Sequence, residues 1–233
     1  MAEILLAAGF ASTKYQVDHT AEKLSEYFGE DVEGICYTDA LRKKQAFFDR
    51  DLIISHSGGI DAIQYADSQQ VVAVAPPVPH TITNLVTRGF KKMRQCEDAF
   101  DGSFKQSSLY EGLSHGVTSL KQIHRLSKVN GFEIAQCLAR RGIDVTLALM
   151  KDDGLFDYAS EEARRSWLDA TNYTNAVKVK EINGDHVRFT NDPIKVLGEV
   201  AAQKSLLSPR LTAETKEDRS FVMQQLSVAQ GLT

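Results

Sequence analysis

Short apolar runs recur along this 233-residue chain, separated by longer stretches whose apolar residues fall at helical spacing. Ile4-Leu5-Leu6-Ala7-Ala8, Leu52-Ile53-Ile54 and Val71-Val72-Ala73-Val74-Ala75 are continuous rather than alternating. A strand reads that way when both of its faces are covered, as in a parallel sheet flanked by helices. Strands are expected at Ile4–Ala8, Val32–Tyr37, Asp51–Ser55, Val71–Ala75, Ile143–Met150 and Ala176–Ile182. Helices are expected between them, at Tyr15–Phe28, Leu41–Phe48, Ile60–Ala66, Phe132–Arg141, Ser160–Ala170 and Asp192–Lys204. From Val78 to Asn130 no strand is evident, and Thr83–Cys96 and Leu113–Leu126 suit helices. The expected class is therefore α/β: a doubly wound, mostly parallel sheet with a helical insertion. Residues 1–77 and 131–207 would form the core, 78–130 the insertion, and 208–233 a C-terminal helix or tail.

Composition narrows the function classes. With 42% hydrophobic and 25% charged residues, neither disorder nor a coiled coil fits. The 15 Gly and 5 Pro exclude a collagen-like chain. Twenty-seven basic against 31 acidic residues lack the basic footprint of a nucleic-acid binder, so no such partner is expected. Cys36, Cys96 and Cys137 are far apart and form no metal-binding pair, which points to free thiols in a reducing compartment. The first residues lack a basic stretch before their short apolar run, and no apolar run approaches the roughly 20 residues that cross a bilayer. A cytoplasmic protein without a membrane span is the expectation. Oligomeric state is not legible.

Three loops, each directly after an expected strand, hold the candidate chemistry. Ser55-His56-Ser57-Gly58-Gly59 has small residues two before and two after Ser57, as a sharp strand-to-helix turn presenting a nucleophile requires. The same turn also suits phosphate at a helix N-terminus or a plain tight turn. Lys151-Asp152-Asp153-Gly154 puts two acids at a strand end, where an open parallel sheet presents ligand-facing loops. Asn183-Gly184-Asp185-His186 puts a histidine at the next strand end. Serine, acid and histidine follow one another in the order of the α/β-hydrolase triad, not in the chymotrypsin or subtilisin order.

In these loops the chain resembles the α/β-hydrolase superfamily. Leu5-Leu6-Ala7-Ala8-Gly9-Phe10 is similar to the family's strand ending in H-G-Φ, and Ile54-Ser55-His56-Ser57-Gly58-Gly59 to its nucleophile elbow. Lys151-Asp152-Asp153-Gly154-Leu155-Phe156 resembles its acid loop, which selects Asp153 over Asp152. Gly184-Asp185-His186, followed by Asp192-Pro193, resembles its histidine loop and the helix beyond. Residues 78–130 stand where the family has its variable cap. Three departures are visible: Ala8 replaces the family's histidine, Ser55 replaces the first elbow glycine, and the chain starts at the family's third strand.

The resemblance implies a catalytic triad of Ser57, Asp153 and His186, with backbone N–H groups of Phe10 and Gly58 holding the oxyanion. It implies no metal or organic cofactor and a small-molecule ester-like substrate. His56 and His80 are candidate pocket-lining residues. The expected activity is that of a serine hydrolase cleaving carboxylic esters or thioesters through an acyl-enzyme. A non-catalytic small-molecule-binding protein, or another chemistry of the same fold (lactonase, amidase, acyltransferase), is the alternative. The cap's apolar residues do not identify the substrate.

Overall fold

In the computed structural model the described residues are 3–10, 12–88, 116–158, 160, 163 and 177–202. Six strands lie in one sheet: β1 (Ile4–Ala7), β2 (Val32–Ile35), β3 (Arg50–His56), β4 (Ser68–Val74), β5 (Asp144–Met150) and β6 (Val177–Ile182). Their spatial order is β2-β1-β3-β4-β5-β6, and every neighbouring pair is parallel. The expectation of a mostly parallel sheet therefore holds, with all six strands parallel. The outermost strands β2 (VEGI) and β6 (VKVKEI) carry charged residues within their length, whereas β3 and β5 carry Arg50, Asp51 and Asp144 only at their starts. An edge strand has one neighbour and a partly solvated flank, so it tolerates what a central strand cannot.

Two apolar layers cover the sheet. Ile4, Leu6, Leu52, Ile54, Val72, Val74 and Met150 face α1 (Lys14–Phe28) and the C-terminal helical segment. Leu5, Ala7, Ile53, Val71, Ala73, Val145 and Leu147 face the other way, toward the helices that follow β3 and precede β5. A strand alternates its side chains between faces, so one continuous apolar run fills both layers. Helix α1 begins at a capping box in which Thr13 and Gln16 satisfy each other's backbone N–H groups. It ends at Gly29, whose φ of 71° no other residue type adopts as cheaply.

Two elements differ from their expected spans. The helix expected at Leu41–Phe48 lies earlier, as α2 (Tyr37–Arg42), followed by a 3-10 turn at Lys44–Phe47. Tyr37, expected at the end of a strand, is instead buried at the start of α2, where its hydroxyl meets a partner 24 residues away. Local periodicity is blind to that partner. The helix after β3 is a short α3 (Gly59–Ala62) rather than one reaching Ala66.

In the 78–130 segment, residues 82–88 are helical and α4 spans Gly116–Leu126. The rest of the expected Thr83–Cys96 helix, most of Ser160–Ala170 and the stretch 208–233 lie outside the described residues. Helix α5 (Gly131–Arg140) leads into β5, while α6 (Arg188–Asn191) and α7 (Pro193–Ala202) follow β6. Among the described residues no helix is long and apolar enough to cross a membrane.

Candidate active site

The loops at the C-terminal ends of β1, β3, β5 and β6 gather the candidate residues. After β3 the chain turns at Ser57 with φ of 52°, in the left-handed region that L-residues rarely occupy. Such strain persists only where the surroundings impose it. Here the Ser57 N–H donates to the Val74 carbonyl at 2.9 Å, and α3 leaves at once from Gly58. Gly59 permits this departure: a Cβ there would fall 2.1 Å from the Ala7 carbonyl oxygen. Gly9 crosses on the other side, where a Cβ would fall 2.7 Å from that of Ser57 and 3.3 Å from its hydroxyl oxygen. Ser55 sits beneath at 1% exposure, and its hydroxyl has no hydrogen-bond partner among the described residues. The elbow keeps its shape with serine in that place.

The acid and histidine loops are tied to each other through their backbones. Lys151 N–H donates to the Ile182 carbonyl and Asp152 N–H to the Gly184 carbonyl, at 2.9 and 3.0 Å. This extension of the β5–β6 ladder brings Asp153 to His186. Asp153 Oδ2 lies 2.8 Å from His186 Nδ1, while Oδ1 accepts the N–H groups of Leu155 and Phe156 at 2.8 and 2.9 Å. The carboxylate is fully enclosed and the imidazole 8% exposed. Burial alone would raise the Asp153 carboxyl, but His186 and the two backbone N–H groups outweigh it and hold the pKa below the ordinary value. Asp152, its neighbour, is exposed and points to no such partner. Arg188 secures the histidine loop, bonding the Asn183 carbonyl and forking onto Glu199.

His56 and His80 take up positions the sequence left open. His56 points to the α1 side of the sheet, where its Nε2 donates to the His186 carbonyl at 3.0 Å. Its ring lies 5.0 Å from that of His186 and 5.3 Å from Phe189. Burial, then the neighbouring His186, lower its pKa to about 3, so it is neutral near pH 7. It stands behind the elbow. Ala8, expected as a departure, borders the same small cavity as His56, along with Ser12, Gln16 and Thr20. His80 stacks on Phe156 at 6.1 Å, and Phe156 meets the His186 ring edge-on at 5.2 Å.

Phe10 follows β1, and its backbone nitrogen lies 3.5 Å from where a Cβ on Gly58 would stand. Gly58 caps the start of α3, where a helix's first N–H groups have no intrahelical acceptor. The N–H groups of Phe10 and Gly58 thus belong to one corner of the molecule.

Several neighbours of this corner escaped the sequence reading. Tyr37 packs its ring edge-on against Phe10 at 6.1 Å and donates its hydroxyl to Asp61 Oδ2 at 2.8 Å. Arg125 of α4 forks onto the same carboxylate, at 2.5 and 3.0 Å. Burial, and then Asp61, push the Tyr37 phenol far up. Tyr158 donates to the Pro76 carbonyl at 2.7 Å. One signal was available: Asp61 is a charge in the otherwise apolar stretch Ile60–Ile63, a residue that a buried helix accepts only with a partner.

No protein-family model matches the sequence, and no curated protein matches it. Solved structures do match. A carboxylesterase of the ammonia-oxidizing thaumarchaeon Nitrososphaera gargenis superposes with a TM-score of 0.50 at 11% identity, covering 82% of this chain and 85% of that one. The thioesterase domain from the curacin biosynthetic pathway superposes at 0.51 and 13% identity, covering 81% and 86%. At such identities the likeness is one of fold. The all-parallel sheet and these two superpositions give the chain an α/β-hydrolase fold.

Proposed function

We propose that the protein is a serine hydrolase that cleaves carboxylic esters or thioesters through an acyl-enzyme. Ser57 attacks the acyl carbonyl while His186 takes the hydroxyl proton, then returns it to the departing alcohol or thiol. Asp153 holds His186 in the tautomer that leaves Nε2 free to accept, and stabilises the imidazolium. The N–H groups of Phe10 and Gly58 bind the tetrahedral oxyanion. Water, deprotonated by His186, then releases the acid. The segment 78–130 acts as a cap over the site, and the widely spaced cysteines point to a cytoplasmic setting.

The observation that carries this reading is the enclosed Asp153–His186 pair, 2.8 Å apart, at the same C-terminal end of the sheet as a serine held at positive φ. A buried acid orienting a histidine, on the sheet end that also carries a strained serine, has little purpose in a protein that only binds. The two superposed structures, a carboxylesterase and a thioesterase, support the ester class.

The test is hydrolysis of p-nitrophenyl butyrate by the native protein and by Ser57→Ala, with fluorophosphonate labelling of Ser57 in parallel. Turnover should fall by at least about 10³-fold in the variant, with an unchanged circular dichroism spectrum. Equal rates for the two proteins, or a native protein that neither turns over nor labels, would overturn the proposal.

A further inference from the structure

Asp61 lies one turn beyond Gly58, and its N–H donates to the Gly58 carbonyl at 3.0 Å. Its carboxylate, 7% exposed, is held by Tyr37 from one side and by Arg125 from the other. The Tyr37 ring in turn touches both residues of the oxyanion corner. It meets Phe10 edge-on, and its Cε2 is 3.5 Å from the place of a Cβ on Gly58. Leu126, next to Arg125, brings its Cδ1 to 3.0 Å from that same place. Gln122 adds a bond from α4 to Thr38 of α2 at 2.8 Å. Helix α4 is thus latched to α2 and α3, with Leu126 packed against Gly58.

We propose that Tyr37 and Asp61 are positioning residues for the Phe10 and Gly58 N–H groups, and that Arg125 couples the seating of α4 to them. The inference rests on the serine-hydrolase reading and deepens it. A buried carboxylate must be matched by donors, and Arg125 supplies two of the three side-chain bonds that Asp61 receives. Without Arg125, water entering the adjacent cavity of about 120 Å³, lined by Leu41, Gln64 and Tyr65, takes its place. The carboxylate stays solvated, but Tyr37 is no longer held in one position, and the N–H groups it supports lose their aim. An oxyanion hole acts only through donors fixed before charge develops, so the loss falls on the transition state and not on substrate binding. Because the Arg125 side chain is 47% exposed, the pair itself adds little to stability.

Arg125→Met, Arg125→Lys and Tyr37→Phe should be compared with the native protein on p-nitrophenyl butyrate. An alkyl trifluoromethyl ketone, whose hemiketal places an oxyanion in the hole, serves as inhibitor. Arg125→Met and Tyr37→Phe should each lower kcat about tenfold with KM changed less than about twofold, and weaken the ketone in step with kcat. Arg125→Lys, which keeps the charge, should recover part of the loss. If Arg125→Met folds poorly, the milder two variants decide. Unchanged kcat in a native-like fold overturns the inference while leaving the hydrolase reading intact, as does a loss confined to KM or melting temperature. A native protein without Ser57-dependent turnover overturns both.

Discussion

At Ser57 the backbone is held where only glycine sits without strain, with the crossing of Gly9 and the start of α3 on either side. The strain is local, so it can be removed without touching the rest of the fold. Ser57→Ala and Ser57→Gly both lose the hydroxyl, but only glycine relaxes φ. Ser57→Gly should therefore be the more stable of the two by about 1 kcal/mol, as measured by urea unfolding. If alanine is equal or better, the turn is not strained in solution. Asp153 shows the complementary economy. One carboxylate accepts three hydrogen bonds, two fixing its own loop and one fixing His186, so the acid is oriented before it orients anything else.

Among the elements, the β3–α3 connection is the most exacting. Helix α3 has only four residues, too few to stand by itself, and persists because Gly59 lets it press against the end of β1. A methyl group at 59 would meet backbone, which cannot rotate away as a side chain would. Gly59→Ala should cost at least about 2 kcal/mol and abolish turnover, because separating α3 from β1 also moves Gly58 away from Phe10. A variant of native stability would mean that strand and helix approach less closely than described. The β5 and β6 loops are joined differently, by backbone bonds between them, which tie the loop of Asp153 to that of His186.

For the whole molecule, acid is the condition that opposes folding at the site. His56 in the folded state has a pKa lowered to about 3, whereas an unfolded chain protonates it near 6.5. As pH falls through that window the unfolded state binds a proton that the folded state refuses, so stability declines. Asp153 acts in the same direction at lower pH: its contribution is present above the ordinary carboxylate pKa and is lost as pH falls through its depressed value. Unfolding free energy should drop by several kcal/mol between about pH 6.5 and 4, and His56→Gln, which keeps a donor but cannot titrate, should flatten that slope. An unchanged slope would show that His56 is not enclosed in solution. The sheet was legible in the sequence because burial on both faces writes itself into continuous apolar runs such as Val71–Ala75. The serine and acid loops were legible because each follows such a run, and the histidine loop because it follows the alternating strand Val177–Ile182. The resemblance singled out Asp153 over Asp152. What only the tertiary structure decided were the partners: His56 on the His186 carbonyl, Tyr37 and Arg125 on Asp61, and the start of α2 at Tyr37. These contacts join residues 24 to 130 positions apart, and no periodicity of 2 or 3.6 residues reports on a neighbour that arrives only when the sheet has closed.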